Sequence, residues 1–488
     1  MLHIDCLHLR GSSFYRRLLE VLAGAELADG AGLLEFSLEF LKSPLDVLAF
    51  LDRNYDHNAV TTSFFPKTWK YPDFLPDKCQ ALPKADAKIG KKCYFCQNKN
   101  VISMDSPFLY NRYVTGQHFI GRKEDCTILG NLLSQSENVV IWEPFGTGKK
   151  SLVHQVFTKL KVNGDALTVG EMTALDIRDG ESFVKRLGAT VIRLVASTPD
   201  EYERIVSGHL GGTHWVFDRK AFSDMDMILS TNWDLDEADL KAVLRLPYAL
   251  AAERGEKMFM IVDEFQNLDL ADDGERIFNL MEAVMDEARA EGLKIFSYIF
   301  IGSQVNAMED IFIKRHFFYR RATRLKLSRV DEREIVEHII KGFLASGKVI
   351  DRDLISGACR LFKCNLFYIN HFTSICDSLS KGYIMEPVLL EALATVIAIN
   401  RGRFVSMVND LTTFQVSLLK AIIDGYTKFS TAEVIRKYSL NSSANVRRLK
   451  DALMNKEILT FIGEDSKPVI LDPLFEYWLR NYYFKNNQ

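Results

Sequence analysis

The residues Glu143, Pro144, Phe145, Gly146, Thr147, Gly148, Lys149, Lys150 and Ser151 form a run that can cradle a polyphosphate. Gly146 and Gly148 let backbone N–H groups approach phosphate oxygens, and the ammonium of Lys149 can reach the β- and γ-phosphates. The run matches the phosphate-loop pattern G-x-x-x-x-G-K-[ST] at Gly148 and Lys149 and departs from it at both ends. Glu143 replaces the first glycine and adds a negative charge, unfavourable if it faces the phosphates. Lys150 stands where a Ser or Thr hydroxyl would bind Mg²⁺, which leaves Ser151, one residue on, as the hydroxyl candidate. A second acidic motif lies downstream. The apolar run from Met258 ends in Asp263 and Glu264, where Asp263 can hold Mg²⁺ and Glu264 can orient or deprotonate an attacking water. Ser303 and Gln304 follow a further apolar run as candidates to sense a γ-phosphate or water. Arg321, in an arginine cluster, is a candidate finger acting in cis or from a neighbouring subunit. Each motif alone also fits a plainer reading: a Gly-rich turn opening a helix, a solvated turn or cap after a strand, a solvated basic face. Their order along one chain favours nucleotide binding.

Chemistry of this kind needs a parallel sheet to carry it. The spacing predicts a helix over Lys123–Ser134, a strand over Asn138–Trp142 and an amphipathic helix over Ser151–Leu160. Further strands are expected at Ala166–Val169, Met258–Val262 and Ile295–Ile301. After Leu327 strand signals stop, and Glu332–Ile399 reads as amphipathic helices, a lid. Helix patterns at Phe414–Ile423, Thr431–Tyr438 and Ser443–Asn455 precede apolar runs at Leu459–Ile462 and Val469–Leu471 about a turn, the order of a winged helix. The expected fold is thus α/β: a P-loop parallel sheet flanked by helices over residues 104–327, a helical lid over 328–405 and a C-terminal winged helix over 406–488.

Taken with Phe119-Ile-Gly-Arg-Lys-Glu124, Val262-Asp-Glu-Phe-Gln266, Phe300-Ile-Gly-Ser-Gln304 and Tyr319-Arg-Arg-Ala-Thr323, these motifs resemble the prokaryotic archaeal-type AAA+ ATPases, a STAND branch of P-loop NTPases. The resemblance runs from about Ser106 to Tyr483. It implies ATP as ligand and Mg²⁺ as its partner, with phosphate binding on Gly146, Gly148 and Lys149. Metal and water roles fall on Asp263 and Glu264, sensing on Ser303 or Gln304, and the finger on Arg321. The expected activity is a nucleotide-dependent switch whose hydrolysis Lys150 and Glu143 put in question. The alternative is a non-catalytic regulator that binds DNA or protein through the winged helix. There Asn445, Arg447, Arg448 and Lys450 would be the polar candidates, although a helix that buries Val446, Leu449 and Leu453 cannot turn all of them to one groove. A protein partner or self-association fits better than DNA.

The bulk numbers set the frame. A chain of 488 residues with 47% hydrophobic composition can build several cores, and 61 Lys and Arg against 64 Asp and Glu give no global pull toward nucleic acid. No signal pattern or long apolar stretch stands out, so a cytoplasmic location without membrane contact is expected. The 8 cysteines are too dilute for a disulfide scaffold, and Cys93 and Cys96 lack the second ligand pair that zinc needs. Residues 1–103 read as two apolar helical stretches and a loop-like run, beside the alternative that Met104 is the natural start.

Overall fold

In a computed structural model, the residues described are 106–224, 228–463 and 467–485. The expectations about residues 1–103, including Cys93, Cys96 and the start at Met104, lie outside them.

The sheet that carries the site has the order β2-β5-β6-β1-β7, every pairing parallel. Its strands are β1 (Asn138–Trp142), β2 (Leu167–Thr173), β5 (Lys257–Asp263), β6 (Phe296–Gly302) and β7 (Ala322–Arg324). Strands β1, β5 and β6 are nearly continuous apolar runs because both faces are covered. Alternate residues face opposite ways. Val139, Ile141, Ile261 and Ile299 pack on α1 (Lys123–Ser134) and α2 (Lys149–Val162). Val140, Met260, Val262 and Phe300 pack instead on α3 (Gly180–Arg193), α5 (Glu237–Arg254) and α6 (Gly274–Ala290). Between α3 and α5 come α4 (Pro199–His209) and an antiparallel pair, β3 (Trp215–Phe217) and β4 (Leu229–Thr231). Neither that pair nor β7 was expected: runs of three residues are too short to show a period.

The lid comprises α8 (Glu332–Ala345), α9 (Arg352–Leu361), α10 (Leu366–Leu379) and α11 (Glu386–Asn409), preceded by α7 (Val305–Glu309) after β6. Strands do not stop at Leu327, since β8 (Val349–Ile350) and β9 (Tyr383–Ile384) form a small parallel pair within the lid. The winged helix follows as α12 (Thr413–Ile423), α13 (Ala432–Lys437), α14 (Ser443–Asn455), the antiparallel pair β10 (Leu459–Ile462) and β11 (Lys467–Ile470), and α15 (Pro473–Trp478). Lid and winged helix share one hydrophobic core, from Ile335 through Phe372 and Leu418 to Leu479. The single helix α11 crosses the expected border between residues 405 and 406, where Phe404 packs on Phe475 and Trp478 at ring distances of 5.4 and 5.6 Å.

Candidate nucleotide-binding site

The phosphate loop joins β1 to α2, at the end of the sheet where the parallel strands finish, the usual place for a ligand in such sheets. Gly146 at φ 81° and Gly148 at φ 86° take the left-handed conformation that suits glycine. At Gly146 there is a second reason. An added methyl carbon would meet Asn365 Oδ1 at 2.5 Å and Phe367 Cβ at 2.7 Å, because the start of the lid helix α10 lies on the loop. Asn365 caps that helix by accepting from Tyr368 N at 3.2 Å. Its Nδ2 donates to the Phe145 carbonyl at 2.8 Å, and Phe367 N donates to the Gly146 carbonyl at 3.1 Å.

Lys149 is 8% exposed. Its ammonium donates to the carbonyls of Glu143 (2.6 Å) and Pro144 (3.2 Å). Burial lowers its pKa to about 8, even though Glu264, Asp263 and Glu143 pull the other way. Glu143 turns its side chain off the loop: Oε1 accepts from Leu327 N at 3.3 Å, and burial raises its pKa. Thr147 Oγ1 donates to the Pro144 carbonyl at 2.9 Å, and Arg122 Nη2 donates to the Thr147 carbonyl at 2.7 Å. Pro144 and Thr147 therefore shape the loop without lining the cavity beside it.

The acidic pair closes the other side. Glu264, at φ 53°, follows β5. Its Oε2 accepts from Ser303 Oγ at 2.6 Å and from Gln266 Nε2 at 2.7 Å. Ser303 thus touches the glutamate directly, whereas Gln304 opens α7 outside the cavity lining. Lys150, in the first turn of α2, places its Nζ 3.1 Å from Asp263 Oδ2 and also pairs with Glu171 of β2. Burial draws the Lys150 pKa down, but Glu171 and Asp263 together hold it above its ordinary value. Burial pushes the Asp263 carboxyl up, outweighing the ammonium beside it. Ser151 Oγ accepts from Val114 N at 3.1 Å. With an ammonium on Asp263 and the hydroxyl engaged by the 109–120 segment, these residues do not make a divalent-cation site.

Between loop, acidic pair and lid lies a cavity of about 420 Å³, of the size that holds a nucleotide-sized ligand. Phe145, Gly146, Gly148, Lys149, Lys150, Ser151, Asp263, Glu264 and Ser303 line its polar side. Tyr110, Tyr113, His118, Leu366 and Phe367 belong to its apolar and aromatic part. Tyr110 stacks on His371 (4.3 Å), and Tyr113 on His154 (3.7 Å).

Arg321 is not there. It precedes β7, whose Ala322 pairs with Asn138 at the start of β1, so it sits at the end of the sheet opposite the phosphate loop. Its Nε and Nη2 bind Asp286 (2.9 and 2.6 Å), and Nη1 binds Glu282 at 3.0 Å. This placement at the opposite end of the strands does not support an in-cis finger role. The residues that the sequence did not point to include Tyr110, Tyr113, Glu171, His154, Asn365 and Phe367. Asn365 carried a local signal as a cap residue before a helix pattern; the others had none.

The winged helix touches the same machinery. Asn306 Nδ2 donates to the carbonyls of Met454 and Leu459, both at 3.0 Å, and Ala307 N donates to Glu457 Oε1 at 2.8 Å. On α14, Val446, Leu449 and Leu453 are buried, as expected. Asn445 Nδ2 bonds the Leu440 carbonyl at 3.0 Å, and the Lys450 ammonium lies over Phe461 at 4.7 Å. Of the basic candidates, this leaves Arg447 and Arg448 exposed.

A phosphate loop after β1, an acidic pair after β5, a lid and a winged helix make this the fold of an AAA+ P-loop ATPase. The model of a probable winged helix domain matches residues 402–481. In three dimensions the chain is similar to the Walker-type ATPase PABY2304 of Pyrococcus abyssi, with TM-score 0.56 and 18% identity over 77% of this chain and 99% of that one. It is also similar to the Aeropyrum pernix ORC2 protein solved in ADPNP–ADP complexes, with TM-score 0.47 and 12% identity over 76% of this chain and 94% of that one. The Aeropyrum pernix ORC1 protein in complex with DNA gives TM-score 0.41 and 12% identity over 76% and 96%. Among curated proteins, none matches the chain in sequence. Among the described residues no helix is long and apolar enough to cross a membrane.

Proposed function

We propose that this chain binds ATP in the cavity beside Lys149 and acts as a nucleotide-dependent switch with slow hydrolysis. One observation carries the reading: phosphate loop, acidic pair and lid line a single cavity, and the lid is hydrogen-bonded to the loop itself through Asn365 and Phe367. The backbone N–H groups of the loop and the Lys149 ammonium take the phosphates; the aromatic part around Tyr110, Tyr113 and Phe367 takes the base. Glu264, held by Ser303 and Gln266, orients the attacking water. A change at the loop is felt by the lid through Asn365, and a change at Ser303 by the winged helix through α7 and Glu457. Lid and winged helix, sharing a core, transmit either as one body.

The partner reached by that body is a protein or a second copy of the chain. On α14 itself only Arg447 and Arg448 are exposed basic candidates for base or phosphate contact, and the chain as a whole has no basic excess. Equilibrium binding of a fluorescent ATP analogue, followed by phosphate release in wild type and Glu264→Gln, tests the reading. Expected are saturable binding by both proteins and release slowed further in Glu264→Gln. Absence of saturable binding would refute it.

A further inference from the structure

The residue after the phosphate-binding lysine is itself a lysine, and the surrounding structure fixes where its charge sits. Glu171 pairs in register with Ile261. Residues two apart on a strand face the same way, so Glu171 and Asp263 project from one face of neighbouring strands. The Lys150 ammonium is clamped between them, 3.1 Å from Asp263 Oδ2 and paired with Glu171. Glu171 is fixed in turn by His154 Nε2 at 2.9 Å from its Oε2, and His154 is stacked on Tyr113. The Lys150 side chain keeps 34% of its exposure and faces the cavity beside Lys149 and Glu264. An ammonium has three donors; with two on the carboxylates, the third is left for an oxygen of the ligand. Ser151 is turned about 100° further round the helix, where Val114 N engages its hydroxyl.

We propose that the Lys150 ammonium takes the place of a divalent metal, so that the chain binds its nucleotide as the metal-free polyphosphate, with Lys150 bridging Asp263 and Glu171 to a phosphate oxygen. The inference rests on the nucleotide reading above. A tethered single charge cannot exchange and carries no water to polarise. Binding therefore needs no Mg²⁺, and turnover is slow because nothing at Asp263 activates a water.

The test is titration of the full chain with a fluorescent ATP analogue in saturating Mg²⁺ and in excess EDTA, for wild type and Lys150→Thr. Wild-type affinity is expected to change by less than about threefold on chelation, whereas Lys150→Thr becomes metal-dependent by about tenfold or more. With Mn²⁺ as probe, electron paramagnetic resonance should show protein-bound ion in the nucleotide complex of Lys150→Thr only. Wild-type binding that is lost in EDTA, or a Lys150→Thr protein that binds nucleotide indifferently to metal, overturns the proposal while leaving nucleotide binding intact. No wild-type binding in either medium overturns the nucleotide reading itself, and this inference with it.

Discussion

The two ends of the parallel sheet handle charge in opposite ways. Where the strands begin, Arg321 is matched almost atom for atom by Asp286 and Glu282, and the hydrogen bond to Asp286 raises its pKa. Where they finish, Lys150 is clamped by Asp263 and Glu171, but two other cations are answered incompletely. Lys149 rests on loop carbonyls at 8% exposure, and buried Arg122 has no hydrogen-bond partner for its Nε. Burial lowers the pKa of both. A pair that only ties β7 to α6 can satisfy itself, whereas the nucleotide site proposed at the other end requires positive charge left over for an anion.

This contrast can be broken by substitution at either end. The largest effect is expected for Lys149→Met, which removes the cation but keeps the stem: nucleotide affinity should fall by about a hundredfold or more. Thermal stability of the free chain should hold or rise, because a buried charge is gone. An affinity unchanged by this variant would mean that the loop is only a turn. Next comes Asn365→Ala, which cuts the bond from lid to loop. Loss of about 1–2 kcal/mol, or about tenfold in affinity, is expected, together with faster hydrogen exchange at the start of α10.

A pH effect of similar size should follow from Lys149. Its folded pKa of about 8 lies below the ordinary 10.5. Between those values the unfolded chain holds more protons, so stability gained from this group increases as pH rises through that window. Nucleotide affinity should run the other way and fall above about pH 8, as free Lys149 loses the proton that phosphate binding requires. Titrations on either side of pH 8 would show it, and an affinity that climbs with pH would contradict it. The smallest effect is expected at the far end. Arg321→Ala should cost less than about 1 kcal/mol of stability, since the pair is partly exposed, and should leave nucleotide affinity unchanged.

Much of the frame was legible in the sequence where local signals agreed. Helix α1 and strand β1 fall on the expected residues, and α14 does too, because apolar spacing and flanking polar residues marked both limits. The phosphate loop was legible from residue types alone, as was the oddity at Lys150. Other parts were not. Strands β7, β8 and β9 have three residues or fewer and leave no periodic trace; β7 exists because β1 offers it an edge. The expected lid border failed to show that α11 continues, since amphipathic spacing does not reveal that one helix serves two lobes. Arg321 was a finger candidate in cis or from a neighbouring subunit by composition, and only the register of Asn138 with Ala322 placed it at the end of the strands away from its own phosphate loop.

By itself, then, the sequence determined the chemistry available: a glycine-lined loop with Lys149, an acidic strand end at Asp263 and Glu264, and a lysine where a hydroxyl would serve a metal. These follow from side-chain type and from geometry within a few residues. Only the tertiary structure decided what that chemistry meets. Strand pairing brought Glu171 beside Asp263 and so gave Lys150 its seat; helix packing laid Asn365 and Phe367 on Gly146. Residues so far apart in sequence come together through register and core packing, which no local pattern encodes.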